Sequence, residues 1–289
     1  MIKQGRIPSR MGDNTAVLWF VKKHGFTSPE MGIRSLARRL ISVYGDQPPP
    51  FEPRLVAQEL KVHDISFGPI GKDALLIPTN AGFRIRIGEE FPKTRQRFAL
   101  AHELGHSLFF NSDEPHPFRP YSNHESSDYE ERLCDIFAGE ILLPKDSLTK
   151  HVCQFDKPAA DAVLHLAKVF DVSAQCLAIR ISELRLWQAA VIGWTPDHAN
   201  TISVPSGSVV PKLRVAWSTA PRGYYVPLKD SARSSSVIYS CYASGDREAT
   251  VEVLSLGSLR GTYHVSCGRV PDPTNKGDHG VVSVVDLSS

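Results

Sequence analysis

The sequence predicts an α+β fold, with helices and a few strands in its first part and mostly β structure in its last part. The stretch GFRIRIG, Gly82–Gly88, alternates apolar and basic residues, which is typical of a strand with one buried face. From Thr94 to Phe109 the apolar residues recur at helical spacing instead. After Ala190 valine, serine, glycine and proline become more frequent, and short apolar runs alternate with turn residues, which predicts strands.

Composition and charge limit the class of protein. The chain has 289 residues, enough for one large domain or two modest ones. Its 33 basic and 31 acidic residues give a net charge of +2, too small to predict nucleic-acid binding from charge. The five cysteines contain no C-x-x-C pair, which indicates neither a disulfide framework nor a cysteine-rich zinc site and predicts a cytoplasmic protein. We find no secretory signal and no apolar run of about 20 residues, so no membrane association is predicted.

We assign residues 1–52 to an N-terminal helical region, because residues 14–44 contain two helical patterns. Three consecutive prolines in the segment GDQPPPFEP, residues 45–53, then interrupt helix formation. Residues 53–148 are predicted to form the next domain, which starts with a helix to about Lys61. Short strands follow, at residues 62–67, 74–78 and 82–88.

The helix that starts at Thr94 contains the segment RFALAHELGHSLFF, Arg97–Phe110, with three titratable residues among apolar ones. His102 and His106 are one helical turn apart, so both imidazoles leave the same helix face and can bind one ion. Glu103 points about 100° away, where it can contact a water molecule on that ion. This H-E-x-x-H pattern is typical of zinc peptidases, in which the glutamate is the general base. The alternative is that the histidines are hydrogen-bonded core residues without a metal.

A third ligand is expected on the next helix, which starts near Ser127 after a polar loop and ends before Pro144. Glu131 offers a carboxylate, and Asp135 lies one turn further on the same face, where it can accept a hydrogen bond from a ligand histidine. The alternative for Glu130 and Glu131 is an acidic first turn favoured by the helix dipole, with Glu130 at capping-box spacing from Ser127. That alternative does not explain Asp135.

Two segments resemble the signature segments of the ImmA/IrrE metallopeptidases, namely RFALAHELGHSLFF and EERLCDIFAGEILLP, residues 130–144. The second family segment is approximately E-x-x-A-N-x-F-A-A-x-L-L-x-P, and alignment places its ligand glutamate at Glu131. Cys134 and Asp135 stand where the family usually has alanine and asparagine. The resemblance spans about residues 50–187.

The resemblance implies a zincin-like metallopeptidase domain with one Zn²⁺ ion. The ligands that it implies are His102, His106 and Glu131. Glu103 is then the general base, and Asp135 supports a ligand histidine. The implied function is a zinc endopeptidase that cleaves a helix-turn-helix transcriptional repressor and so derepresses mobile-element or stress-response genes. The alternative is a non-catalytic zinc-containing protein that sequesters the repressor, and the intact Glu103 favours the enzyme.

The sequence leaves the substrate contacts open. The strand Gly82–Gly88 stands where zinc peptidases place an edge strand that pairs with an extended substrate. Arg84 and Arg86 share one face of that strand, which either favours an acidic substrate or is only a solvated face. The oxyanion of the reaction needs a donor. Candidates from the polar loop, each otherwise an exposed loop residue, are His116, Tyr121, His124 and Tyr129.

Residues 149–189 are predicted to form a helix-turn-helix-like extension with its turn at Asp171–Ser173. Its second helix offers chiefly Arg180 and Arg185 as cations, so direct DNA binding is not predicted, and we interpret it as a packed extension that shapes the cleft. Some family members carry a GAF-like sensory domain next, but residues 190–289 lack strong helical periods. We therefore predict an all-β domain there, a sandwich or barrel for partner recognition, separable at its first residue.

Overall fold

The structure is a computed structural model, and it describes residues 15–111, 128–205, 207–271 and 279–288. The chain forms two compact units that divide between Pro144 and Lys145. The first unit contains helices α1 (Thr15–His24), α2 (Pro29–Leu40), α3 (Arg54–Ala57), α4 (Lys93–Ser107) and α5 (Asp128–Leu142), and strands β1 (Val62–Gly68), β2 (Ala74–Thr79) and β3 (Gly82–Gly88). The second unit contains helices α6 (Lys145–Val152), α7 (Ala160–Phe170), α8 (Ala174–Glu183) and α9 (Val237–Ser244), and strands β4 (Ala189–Ser203), β5 (Val209–Thr219), β6 (Glu248–Leu256), β7 (Leu259–Pro271) and β8 (His279–Asp286).

The sheet of the first unit has the strand order β1-β3-β2, in which β3 pairs in parallel with β1 and antiparallel with β2. The alternation in GFRIRIG is reproduced as burial, because Phe83, Ile85 and Ile87 are buried while Arg84 and Arg86 are exposed. The predicted strand is therefore confirmed, but its predicted edge position is wrong. β3 is the central strand, and β2 is an edge strand of this sheet.

Helices α4 and α5 pack directly against each other, and α4 also packs on β2 and β3. The close approach of α4 and α5 depends on Gly105, because a Cβ atom at this residue would lie 3.0 Å from the Cα of Cys134. Most residues of α5 are buried, so its polar side chains at the interface are surrounded by apolar ones. The residue that we predicted to begin α5, Ser127, lies outside the described residues.

The N-terminal helices belong to the same compact unit as α4 and α5. α2 begins at the N-cap Ser28, whose hydroxyl accepts a hydrogen bond from the amide of Met31, and it packs along α5. Phe20 of α1 packs on Phe109, with ring centroids 5.4 Å apart. The boundary that we predicted after residue 52 therefore does not coincide with the division between compact units, because the three prolines separate elements that share one core.

The sheet of the second unit has the strand order β5-β4-β8-β7-β6, with antiparallel pairing throughout. The described strands form one open sheet, so the predicted sandwich or barrel is wrong. One of the short apolar runs from which we predicted strands, SVIYSCY, instead forms α9, because Ser236 caps the helix start and Gly245 ends it with a φ of 82°. The described part of residues 190–289 is therefore mostly β rather than all-β. We argued against a GAF-like domain from the lack of helical periods there, and the helix α9 removes that argument.

Helices α7 and α8 form the helix-turn-helix pattern, with its turn at Asp171, whose φ is 51°. Both helices pack on the sheet of the second unit, α7 on β7 and β8, and α8 on β5. The amide of Ala160 donates a hydrogen bond to the hydroxyl of Ser266 at 2.9 Å. Leu164 lies so close to Gly268 that a Cβ there would be 2.6 Å from the leucine Cδ1. The helices are thus part of the second unit, and the predicted boundary near residue 190 does not coincide with its start.

The packing of α7 predicts how fragments of the second unit behave. Val282 and Val284 are buried on β8, on the opposite face from the core cluster that contains α9. A fragment of residues 190–289 exposes this face, at a cost of about 1.5–3 kcal/mol for each valine. We expect it to unfold without cooperativity or to aggregate, whereas a fragment of residues 145–289 unfolds in one thermal transition followed by circular dichroism. Equal melting temperatures for the two fragments would support a separable domain that starts at residue 190.

No single helix among the described residues is long and apolar enough to cross a membrane. Helices α7 and α8 reach that length only when they are taken together, across a bend of 104°. Both helices bury several of their apolar residues within the protein.

Candidate metal centre

The predicted site residues come together where α4 packs on α5. The side chains of His102 and His106 are only 16% and 13% exposed, because the α4 residues Leu100 and Leu104 are buried and hold this helix against the core. The predicted residues on α4 are His102, Glu103 and His106, and those on α5 are Glu131 and Asp135.

Three side chains with potential ligand atoms face one another at this interface. The Nε2 atoms of His102 and His106 are 3.1 Å apart. The carboxylate of Glu131 contacts both, with one oxygen 3.1 Å from Nε2 of His102 and the other 3.4 Å from Nε2 of His106. A tetrahedral Zn²⁺ ion at its usual bond lengths holds ligand atoms roughly 3.3 Å apart. The donor types and their spacing therefore fit one divalent metal ion.

The other ring nitrogen of each histidine contacts a different carboxylate of α5. Asp135 Oδ1 lies 2.9 Å from Nδ1 of His102, which is the contact that its one-turn spacing from Glu131 predicted. Glu130 Oε1 lies 3.1 Å from Nδ1 of His106. Carboxylates in this position fix the tautomer and orientation of a metal-binding imidazole.

We did not predict the contact between Glu130 and His106 from the sequence. We interpreted Glu130 as a first-turn acid or a capping residue, but its side chain is completely buried against His106. A sequence signal was present, because Glu130 stands at helical spacing from the apolar residues Cys134 and Phe137 of the buried stripe. An acidic residue in such a stripe indicates a buried partner.

Glu103 points toward the sheet. One of its carboxylate oxygens accepts a hydrogen bond of 2.9 Å from the backbone amide of Leu76 on β2. Its side chain thus leaves α4 in a different direction from the two histidines, as the helical period predicted. The edge strand β2 and the carboxylate of Glu103 are therefore neighbours.

The carboxylates favour positive charge at the two histidines. Burial alone lowers the pKa of His102, but its hydrogen bonds to the carboxylates of Asp135 and Glu131 raise the pKa to about 9. Burial likewise lowers the pKa of His106, and the contacts with Cys134, Glu130 and Glu131 raise it well above its usual value. An interface that stabilises imidazolium so strongly also favours a bound cation.

Cys134 offers an alternative donor, because its sulfur, one ring nitrogen of His102 and one of His106 lie within 4.8 Å of one another. Its thiol is completely buried, and burial raises its pKa to about 12 despite the nearby His106. The thiolate is the form that binds metal, so without a cation Cys134 stays in the non-binding form, whereas a carboxylate needs no such proton loss. Glu131, whose oxygens touch both Nε2 atoms, is the better third donor.

Of the four candidate oxyanion donors, only Tyr129 lies among the described residues. His116, Tyr121 and His124 lie outside the described residues. Tyr129 is 8% exposed, and its hydroxyl forms a hydrogen bond with Glu30 of α2. Burial, together with this hydrogen bond, raises the pKa of Tyr129 to about 12. The structure thus engages Tyr129 with α2 instead of leaving it as an exposed loop residue.

The two arginines of β3 lie on its exposed face. Arg84 is 58% exposed and contacts Asp64 of β1 at 3.8 Å. Since β3 is central, both of its edges are already paired, and an extended substrate cannot add to it. The solvated-face interpretation of Arg84 and Arg86 fits this arrangement.

Comparison with known proteins identifies the region that contains the site. Residues 57–182 match the family model described as the IrrE N-terminal-like domain. The radiation response metalloprotease IrrE of Deinococcus radiodurans is 30% identical over 123 residues, which are 42% of this chain and 37% of the relative. The protein of the same name from Deinococcus deserti is 28% identical over 149 residues, which are 50% of this chain and 52% of the relative. The chain thus spans about half or less of each of these relatives.

A solved structure, a Mycobacterium tuberculosis transcriptional regulator, resembles the chain with a TM-score of 0.54 over 94% of this chain and 93% of the other. Its sequence identity is 13%, so this likeness concerns the fold alone. The family match extends from α3 to α8 and includes every residue of the candidate centre. The match over residues 57–182 and the two relatives support the ImmA/IrrE family, which the two signature segments predicted.

Proposed function

We propose that the protein is a zinc-dependent endopeptidase. In this proposal the ligands of Zn²⁺ are His102, His106 and Glu131, the general base is Glu103, and Asp135 orients His102. The observation that carries it is the mutual approach of three donor side chains: the two Nε2 atoms are 3.1 Å apart, and the two oxygens of Glu131 lie 3.1 and 3.4 Å from them. Two imidazoles and one carboxylate are the protein ligands of several catalytic zinc sites, which keep another position open.

A bound zinc ion supplies Lewis acidity, which acidifies water and polarises the substrate carbonyl. Glu103 takes a proton from the attacking water molecule and passes it to the leaving amine. The amide of Leu76 holds the carboxylate of Glu103 in place by its hydrogen bond of 2.9 Å. A fixed base has less conformational freedom to lose when the substrate binds.

The edge strand β2 is the proposed binding surface for an extended substrate. In an antiparallel pair the backbone groups of alternate residues point away from the partner strand. Since the amide of Leu76 points to Glu103, the outward residues of β2 are Ala74, Leu76 and Pro78. A peptide that pairs with this edge passes beside Glu103. Pro78 has no amide donor and the amide of Leu76 already donates to Glu103, so both residues offer such a peptide only their carbonyl oxygens.

The proposed substrate is a helix-turn-helix transcriptional repressor, and its cleavage would derepress mobile-element or stress-response genes in the cytoplasm. Support comes from the family and from the two relatives named as radiation response metalloproteases. The five cysteines, all among the described residues, form no disulfide bond, which suits a reducing compartment. Direct DNA binding by α8 is not part of the proposal, because Arg180 is 1% exposed and pairs with Glu183 at 3.2 Å.

A second candidate function is a zinc-containing protein that binds and sequesters the repressor without cleaving it. The same ligands and the same edge strand serve both functions. The position of Glu103 favours the peptidase, because a binding protein has no use for a carboxylate held beside its binding edge.

Metal content tests the ligand set directly. We expect one equivalent of zinc per chain in protein purified without chelator, measured by elemental analysis. Glu131→Gln should lose most of this zinc, because the amide carries no charge and is a weaker donor than a carboxylate. The matched control is Glu89→Gln, which alters an exposed glutamate near α4 and should leave the zinc content unchanged. Full zinc content in Glu131→Gln would exclude Glu131 as a ligand.

A further inference from the structure

We propose that Glu130 is a positioning residue for the metal centre, whose carboxylate holds His106 in the orientation and tautomer that metal binding needs. This inference rests on the proposed zinc site. It adds a second buried support to the one that Asp135 provides, on the other ligand histidine. It also gives the first turn of α5 a role that its acidic composition does not reveal.

The geometry defines this role. A neutral imidazole carries one proton, and that proton stays on the nitrogen that faces a hydrogen-bond acceptor. Glu130 Oε1 lies 3.1 Å from Nδ1 of His106, so Nδ1 is the donor and Nε2 keeps its lone pair. That Nε2 is the atom that faces Glu131 and His102. The contact of Asp135 with His102 repeats the same arrangement.

The burial of Glu130 separates this role from a simple effect of the helix dipole. An acid that only interacts with the helix N-terminus can remain in water, as the exposed Asp128 does in the same turn. Glu130 is instead 0% exposed. A buried carboxylate is costly unless it is hydrogen-bonded or paired with a cation, and the contact of Glu130 with His106 is such an interaction.

The two supporting carboxylates differ in their surroundings. The side chain of Asp135 is 28% exposed, whereas that of Glu130 is inaccessible to solvent. Water and salt screen a buried interaction much less than a partly exposed one. We therefore expect the loss of Glu130 to weaken metal binding at least as much as the loss of Asp135, with a smaller dependence on salt concentration.

Zinc affinity of the full chain, measured by competition with a chromophoric chelator, tests this role without any assay of activity. Loss of such a partner typically weakens metal binding by about 10- to 100-fold. We expect that decrease for Glu130→Leu, and a smaller one for Glu130→Gln, whose amide oxygen can still accept from Nδ1. Asp128→Asn is the control, because it removes a first-turn charge without touching either histidine. In the zinc-loaded protein, ¹⁵N NMR should show the proton of His106 on Nδ1.

Wild-type affinity in Glu130→Leu, or an equal decrease in Asp128→Asn and Glu130→Gln, would overturn the positioning role and leave the zinc site intact. Wild-type protein that binds no zinc would overturn both the role and the proposed function. If Glu130→Leu does not fold, the nearly isosteric Glu130→Gln decides the question, because unchanged affinity together with an unchanged NMR spectrum of His106 contradicts the proposal.

Discussion

Glu103→Gln should retain zinc and bind its substrate, but lose peptide cleavage by about 10²- to 10⁴-fold, the usual contribution of general base catalysis. The substitution keeps the size of the side chain. Its amide oxygen can still accept the hydrogen bond of Leu76, so the side chain keeps its place beside β2. What it loses is the ability to take a proton from the attacking water molecule.

The measurement is the initial rate of repressor cleavage by purified protein, with zinc content and repressor binding determined on the same samples. Glu89→Gln is again the matched control and should cleave at the wild-type rate. If Glu103→Gln relieves repression in cells as strongly as the wild type, and neither protein yields a cleaved repressor on a gel, the sequestering function replaces the peptidase.

Arg34→Met should lower the free energy of unfolding by about 3 kcal/mol. Arg34 of α2 donates to Glu140 of α5 at 2.6 Å, and Glu140 is completely buried. Breaking a buried ion pair by removing one partner typically costs 3–5 kcal/mol, because the other charge stays buried. We expect the lower end, since the side chain of Arg34 is 26% exposed and Arg38 lies 3.9 Å from the same carboxylate.

Urea unfolding followed by circular dichroism measures this difference. The double substitution Arg34→Met with Glu140→Leu should recover most of the lost stability, because no buried charge then remains. Arg39→Met is the control on the same helix, since Arg39 is exposed. A double variant that is no more stable than Arg34→Met alone would show that packing, and not the buried carboxylate, causes the loss. A stable α2–α5 contact also matters for the proposed site, because α5 carries Glu130, Glu131 and Asp135.

Local periodicity explains which features of the protein could be predicted from its sequence. The strand alternation in GFRIRIG and the helical spacing in RFALAHELGHSLFF each depend on neighbouring residues alone. The same holds for His102 and His106, which share a helix face, and for the one-turn separation of Glu131 and Asp135. The structure brings these four side chains together, in the contacts that the spacing predicted.

The errors have a common physical origin. The alternation of β3 shows that one face is buried but not which strands flank it, so its central position depended on β1 and β2. The short apolar run of α9 is compatible with either strand or helix, and packing on β6, β7 and β8 decides between them. The shift in composition near residue 190 marks the first strand of the second unit, but helices earlier in the chain pack on that sheet.

The sequence by itself determined the helix face that carries the histidines, the acids available to them, and the α+β class of the fold. Only the tertiary structure decided which acid meets which nitrogen, because that depends on how α5 lies against α4. Glu130 and Glu131 are adjacent in the chain, yet one is completely buried at Nδ1 of His106 and the other is 43% exposed between the two Nε2 atoms. Adjacent helical residues point about 100° apart, so packing of a second helix assigns them different chemical roles.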